Sequence, residues 1–487
     1  METIKKAAKK VVKKVSATKP TGKFLNSLYE ATSKGETENG AVTYTRSGSP
    51  LLDFYAQAGA MRKNPAKALE LFQKAFAEDR QIAIRILFYL RDVRGGQGER
   101  ELFRTGLEWL GTNYEDVFNK VIKHIPEYGR YDDMFFDNEK CIDFLAKQLA
   151  KDNVSKTPSL LAKWLPTMNA SSATTRAKAQ FMASKFGISE IGYRKTIRNI
   201  RARIKTVEEQ MSANDWDKIN YSGVPSQASR IYRKAFAKHD SERYGEFVGK
   251  AEKGEVKINA STLYPYQIYE SVQNSYDKTL EALWNQLPDY TQGKNAIVVA
   301  DTSGSMSGQP MSVCVSLALY FAERNKGQFQ NHFISFSESP KLHRIHGATL
   351  REKMRSIELG DVANTNLQAV FDLILTTAIK NSISEDEMPS TIYIISDMEF
   401  DGCVRGITNH QMMKEKYEAA GYKIPTVVYW NVDARSGSNL PVQKDERGVT
   451  MVSGFSPVIF KMVVENKSPE EVMLATINSE RYSPIVI

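Results

Sequence analysis

The segment GKNAIVVADTSGSMSG, residues 293–308, decides the fold of the C-terminal part of the chain. A β-branched run, IVVA, gives way at Asp301 to a polar Gly/Ser turn. A short apolar run closed by a turn reads as a strand buried on both faces. Downstream, VCVSLALYFAERNKG reads as a helix, FQNHFISFS as a strand and TNLQAVFDLILTTAIKN as a helix. STIYIISDMEF then reads as a strand, HQMMKEKYEAAGYK as a helix and TVVYWNVDA as a strand. This alternation implies βαβ units and a largely parallel, doubly wound α/β sheet. Ligands of such sheets sit beyond the carboxyl ends of the strands. Two strands end there in acid: Asp301 after IVVA and Asp397 after YIIS.

Upstream, from Leu51 to Asn285, the pattern is mostly helical. In KALELFQKAFAEDRQIAIRILFYLRDV and CIDFLAKQLAKD apolar residues recur every three or four positions. Leu69, Phe72, Phe76 and the run from Ile82 to Leu90 would face a core. Breaks fall at Gly95-Gly96, Gly129, Pro158, Pro166, Gly187 and Pro225. Successive short helices predict stacked helical hairpins, a solenoid or HEAT-like helical repeat, although no exact internal repeat is present. The expected fold class is thus α+α/β. Residues 1–50 form a basic tail and loop, 51–287 a helical-repeat domain and 288–487 the α/β domain.

The chain has 487 residues, 41% apolar and 25% charged, the composition of a globular protein and not of a disordered or collagen-like one. No apolar run reaches the roughly 18 residues that span a bilayer, so no membrane is expected. Lys pairs at the start, in METIKKAAKKVVKKVSATKP, precede no apolar core, unlike a secretory signal. They read as a solvated tail or as a basic helix that touches nucleic acid or an acidic surface. The three cysteines, Cys141, Cys314 and Cys403, lack C-x-x-C spacing and fit a reducing compartment. The expected location is the cytoplasm; a nuclear one is compatible with the Lys-rich start.

Charge divides unevenly. Residues Asn295–Ile487 carry 18 Lys+Arg against 22 Asp+Glu, whereas Met1–Lys294 carry 48 against 35. The whole basic excess therefore sits in the first part, where a polyanion is the expected partner.

In Asp301-Thr302-Ser303-Gly304-Ser305 one carboxylate and two hydroxyls alternate as D-x-S-x-S. A tight turn can aim all three oxygens at one point, and hard cations such as Mg²⁺ take oxygen ligands. Thr365, opening a helix in ANTNLQAVFDL, and Asp397 add oxygens from two further loops. The competing reading is an ordinary Ser-rich turn with Asp397 as a helix cap. The turn has neither G-x-G-x-x-G nor G-K-[ST], so a dinucleotide or P-loop site is poorly matched.

This pattern resembles the von Willebrand factor A domain and its metal-ion-dependent adhesion site. The resemblance implies Mg²⁺, or another divalent cation, held by Asp301, Ser303, Ser305, Thr365 and Asp397. It also implies a coordination position kept for an acidic residue of a protein partner. The Thr loop departs from the family pattern in having Asn364 before Thr365.

Two basic features mark the helical part. RDVRGGQGER, residues 91–100, places Arg91, Arg94 and Arg100 around three glycines, so that backbone N–H groups and guanidinium forks could receive a phosphate. The bland alternative is an interhelical turn whose arginines pair with Asp92 and Glu99. In YRKTIRNIRARIKTVEEQ, Arg194, Arg198, Arg201 and Lys205 fall at i, i+4, i+7 and i+11, with Ile197, Ile200 and Ile204 on another side. That row is a solvated face or an RNA contact.

The order of parts resembles the Ro autoantigen class, in which a TROVE helical ring precedes a von Willebrand A-like domain and binds structured RNAs. A closer resemblance is to an uncharacterised family from plants, bacteria and large DNA viruses. Its marks here are RDVRGGQGER (91–100), AKWLP (162–166), YSGVPSQA (221–228), KINASTLYPYQI (257–268), ADTSGSM (300–306), SDMEFD (396–401) and VSGFSP (452–457). The expected function is an RNA-binding scaffold with a Mg²⁺-dependent protein-binding domain. The alternative is a protein–protein adaptor without nucleic acid, and the third reading is a metal-dependent hydrolase. No motif places a histidine beside Ser303 or Ser305, so catalysis is not expected.

Overall fold

In the computed structural model the described residues are 33–291, 293, 295–336, 339–357, 365–403, 406–435, 439–463 and 466–487. The Lys-rich start lies outside them, as does Asn364.

The first part is helical, and its helices begin where short polar side chains can cap them. Ser49 accepts the N–H of Leu52 at the start of the helix Pro50–Gln57, and Asn64 that of Lys67 at Pro65–Glu78. Asp79 does the same for Ile82 at Arg80–Arg91. Proline occupies the first turn of the first two, where its missing N–H costs nothing. Ala68, Leu71, Phe72, Ala75 and Phe76 form the buried face of Pro65–Glu78. Further long helices are Glu101–Asn113, Glu139–Val154, Ala173–Lys185, Glu190–Ile204, Ser226–His239, Ser241–Glu252 and Pro265–Asn274. Val207, Tyr221, Phe236, Tyr244 and Val248 build a small core of their own.

The second part is built on a six-stranded sheet. Its strands are β3 (Ala296–Asp301), β4 (His332–Phe336), β5 (Lys341–Arg344), β6 (Thr391–Ser396), β7 (Thr426–Asn431) and β8 (Val449–Ser453), in spatial order β5-β4-β3-β6-β7-β8. All neighbours are parallel except β4 and β5, a hairpin pair at one edge. Every residue of β3, β6, β7 and β8 is buried, as parallel strands covered on both faces require. The edge strand β5 is mostly exposed and polar. The chain leaves β3 toward β4 on one side and later returns to place β6 on the other. The carboxyl ends of β3 and β6 therefore flank the switch point of the sheet.

One departure from the sequence reading concerns residues 31–50, expected as a loop. They hold an antiparallel pair, β1 (Lys34–Glu36) and β2 (Val42–Tyr44). Each strand has only three residues, too few for a periodic signal, and long-range bonds hold them. Tyr44 exchanges backbone bonds with Leu440, Thr37 Oγ1 donates to the carbonyl of Phe400, and Glu399 accepts the N–H of Glu38.

The larger hydrophobic core runs from Ala41 to Ile485 through helices and sheet alike. The helix Pro265–Asn274 packs on Gln309–Arg324, and Pro50–Gln57 on β8. At that second contact Gly59 lies so close to Ser453 that a Cβ would come within 2.8 Å of its carbonyl oxygen. The C-terminal Arg481 reaches back to Asp92 with two guanidinium nitrogens, and Tyr482 adds its hydroxyl. Among the described residues no helix is long and apolar enough to cross a membrane.

Candidate functional site

At the switch point the sheet delivers oxygen atoms from adjacent strand ends. Asp301 is the last residue of β3 and fully buried. One of its oxygens accepts the N–H of Ser303 at 3.0 Å, so the turn folds back onto its own carboxylate. The other accepts the hydroxyl of Ser396, the last residue of β6, at 2.6 Å. The hydroxyls of Ser303 and Ser305 lie 2.9 Å apart. Asp397, 2% exposed, follows β6 directly and accepts the N–H of Glu399. Thr365, 1% exposed, joins the same loop cluster through its carbonyl, which accepts the N–H of Asp401. Asn366 caps the helix Leu367–Lys380 by accepting from Ala369, leaving Thr365 just outside the helix.

Burial and neighbouring charge act on this cluster. Burial, and next the charge of Asp397, push the Asp301 carboxyl up to about 7, against the hydrogen bonds from Ser396 and Ser303. Arg435 donates to Asp397 at 2.9 Å. No ion pair to Asp301 is found among the described residues, so room for positive charge remains beside it. The donor set, two carboxylates and hydroxyls at the end of a parallel sheet, fits a hard divalent cation. Among the described residues no group of three or more His, Cys, Asp or Glu is placed to hold a metal ion.

Sequence reading did not single out Ser396, Glu399 or Arg435. Ser396 and Glu399 flank Asp397 in SDME, and the strand-end position was the available signal. Glu399 is buried and accepts from Asn439 at 2.7 Å. Arg435 lies far along the chain in a polar loop with no motif.

The predicted basic residues fall into different environments. Arg91 is 1% exposed, and its guanidinium bonds Asp133 at 2.8 Å inside the core. The phosphate-loop reading of 91–100 is corrected at its backbone. The N–H groups of Gly96 and Gly98 donate to Asp92, Gln97 to Tyr89 and Glu99 to Leu90. The glycines serve this close packing: a Cβ on Gly96 would strike the carbonyl of Tyr89, and Gly98 has φ +69°. The bland pairing also differs from expectation, since Glu99 is held by Arg62 and Asp92 by Arg481. Arg94 is exposed beside Glu127, and Arg100 is exposed.

Arg91, Arg94 and Arg100 nevertheless line one cleft of about 1220 Å³ inside the helical part. Arg194, Arg198 and Arg201 line a second of about 970 Å³. Lys163, Trp164 and Glu208 belong to both walls, so the two cavities adjoin. Arg194 and Arg198 are exposed, while Arg201 is half-buried and donates to the carbonyls of Ala162 and Leu165. Lys205 is exposed, takes a left-handed conformation at the end of the helix Glu190–Ile204, and lines neither cavity. The larger cleft adds Arg62, Lys123 and Arg130, which carried no sequence signal beyond regional charge, and Tyr264 and Tyr266 from KINASTLYPYQI.

Comparison with known proteins agrees with an uncharacterised class. Residues 37–116 and 152–301 match a domain of unknown function (DUF2828), and residues 295–483 match another domain of unknown function (DUF7788). The chain is 29% identical over 508 aligned positions to the uncharacterized protein L728 of Acanthamoeba polyphaga mimivirus, covering 93% of this chain and 88% of that protein.

Proposed function

We propose that the protein is a two-part binding scaffold. Its α/β part works as a von Willebrand A-like, cation-dependent protein-binding domain, and its helical part holds RNA in the manner of the Ro class. One observation carries the reading. Asp301 and Asp397 lie buried at neighbouring strand ends at the switch point of the sheet; Asp301 accepts the Ser303 N–H, and the Ser303 and Ser305 hydroxyls bond each other. Asp301, Ser303, Ser305, Thr365 and Asp397 would hold Mg²⁺. The ion, when bound, supplies a Lewis-acidic position for a carboxylate of a partner. The chain's own residues orient the oxygens: Ser396 fixes one oxygen of Asp301 and the Ser303 N–H the other, while Arg435 holds Asp397 until an ion takes its place.

Support for the polyanion comes from the basic excess of the first part and from two adjoining cavities whose walls carry arginines and aromatic rings. Filter binding of a structured RNA across a salt series tests this half, with affinity expected to fall steeply as salt rises. Calorimetric titration with Mg²⁺ or Mn²⁺ tests the other half, with binding lost in Asp301→Asn.

A further inference from the structure

Among the described residues, the larger cleft contains cations without an ion pair. Seven basic side chains line it against four acidic ones. Most of these are matched: Arg62 bonds Glu99, Arg94 approaches Glu127 and Lys163 approaches Glu208. Arg91 is matched by Asp133, just behind the wall. Asp132 is taken by Arg104 at 2.8 Å. Among the described residues, Arg100, Arg130 and the exposed Lys123 have no ion pair. The Arg130 guanidinium lies over the Trp164 ring, 4.3 Å from its centroid, which fixes its plane. Burial, and next the charge of Arg100, hold its pKa down to about 10. Arg100 and Arg130 line the same cleft, and two unpaired cations on one wall favour an anion between them. A guanidinium pair matches phosphate oxygens in shape as well as in charge.

The same wall is apolar elsewhere. Leu160 is 52% exposed and Ile231 57% exposed, two of the large hydrophobic side chains this molecule leaves uncovered. Apolar surface beside a few fixed polar groups in a concave site marks a small-molecule pocket.

We propose that this cleft binds a nucleotide-sized phosphoanion, with its phosphate between Arg100 and Arg130 and its planar ring against Leu160 and Ile231. The inference goes beyond RNA binding, because it requires no strand. The same chemistry at the end of an RNA strand would compete for the site.

Calorimetry on the full chain tests it with adenosine monophosphate, adenosine, inorganic phosphate and an Asp/Glu-rich peptide. Adenosine monophosphate should bind at least tenfold more tightly than adenosine or inorganic phosphate. Arg100→Gln and Arg130→Gln should each weaken it about tenfold. Arg100 is exposed, so its variant should keep the wild-type melting temperature and remains informative if Arg130→Gln fails to fold. Absence of binding, equal binding of inorganic phosphate, tighter binding of the acidic peptide, or indifference to both substitutions would overturn the assignment. RNA binding that persists without nucleotide binding would sink this inference and leave the scaffold reading intact. Nucleotide binding without RNA binding would do the reverse.

Discussion

Arg435 donates a hydrogen bond to Asp397 at 2.9 Å, at the strand end that also brings Asp397 beside Asp301. The Asp397 side chain is fully buried and that of Arg435 one-third exposed, so the arginine can swing into solvent while the carboxylate cannot. A divalent cation at Asp397 would share that carboxylate with the guanidinium, and two cations on one acid repel. Arg435→Gln should therefore raise Mn²⁺ affinity several-fold, as measured by calorimetry. Weakened binding in this variant would mean that the arginine builds the site and does not compete with the ion.

Arg91 was read as a phosphate ligand and is found as a core ion pair with Asp133. Removing one partner of a buried pair leaves a charge without its counter-ion, at about 3–5 kcal/mol. Arg104, which also bonds Asp133, should hold the cost of Arg91→Met near the lower end of that range. Urea denaturation measures it, and a loss below about 1 kcal/mol would show that Arg91 is not needed for the fold.

The row on the helix Glu190–Ile204 divides into exposed and structural members. Arg194→Ala and Arg198→Ala should leave the melting temperature unchanged and lower the slope of log affinity against log salt by about one each. Arg201→Ala should instead destabilise the protein, because Arg201 ties down the carbonyls of Ala162 and Leu165. Equal melting temperatures for all three variants would contradict that division.

Stability should respond to pH through His410. This imidazole is buried against the hydroxyl of Tyr429, and burial pulls its pKa down to about 4 from an ordinary value near 6.5. Below 6.5 the unfolded chain takes up the proton first, so stability present above pH 6.5 is lost as pH falls toward 4. The loss is about 3 kcal/mol at most. Asp53, pushed up to about 6 mainly by burial, acts oppositely: its carboxyl takes up a proton in the folded state first, so acidification favours folding between about 6 and 4. Comparing wild type with His410→Asn isolates the histidine. If the two stability–pH curves run parallel from 7 to 4, this assignment is wrong.

What the sequence disclosed depended on how local the determinants are. The strands β3, β6 and β7 carry continuous apolar runs that report burial on both faces, and β4 reads HFISF; each could be read in isolation. The edge strand β5 reads KLHR because one side of it meets solvent, and VTMVS in β8 is five residues long between turns. Neither has a run that sets it apart from loop. The β1–β2 hairpin is fixed by partners some 360 to 400 residues away, at Phe400 and Leu440. The same contrast governs the candidate site. D-x-S-x-S is a local signature and led to Asp301, Ser303 and Ser305, whereas Arg435 meets Asp397 only through the sheet. Arg91 and Arg100 look alike in RDVRGGQGER, yet one points into the core and the other into a cleft.

The most direct test of the central claim is a crystal of the full chain soaked in Mn²⁺, with anomalous scattering recorded. The account predicts one manganese peak in contact with Asp301 and Ser303, with Asp397 facing it and Arg435 displaced. A map with no peak at that strand end, and Arg435 still bonded to Asp397 at millimolar Mn²⁺, would contradict it.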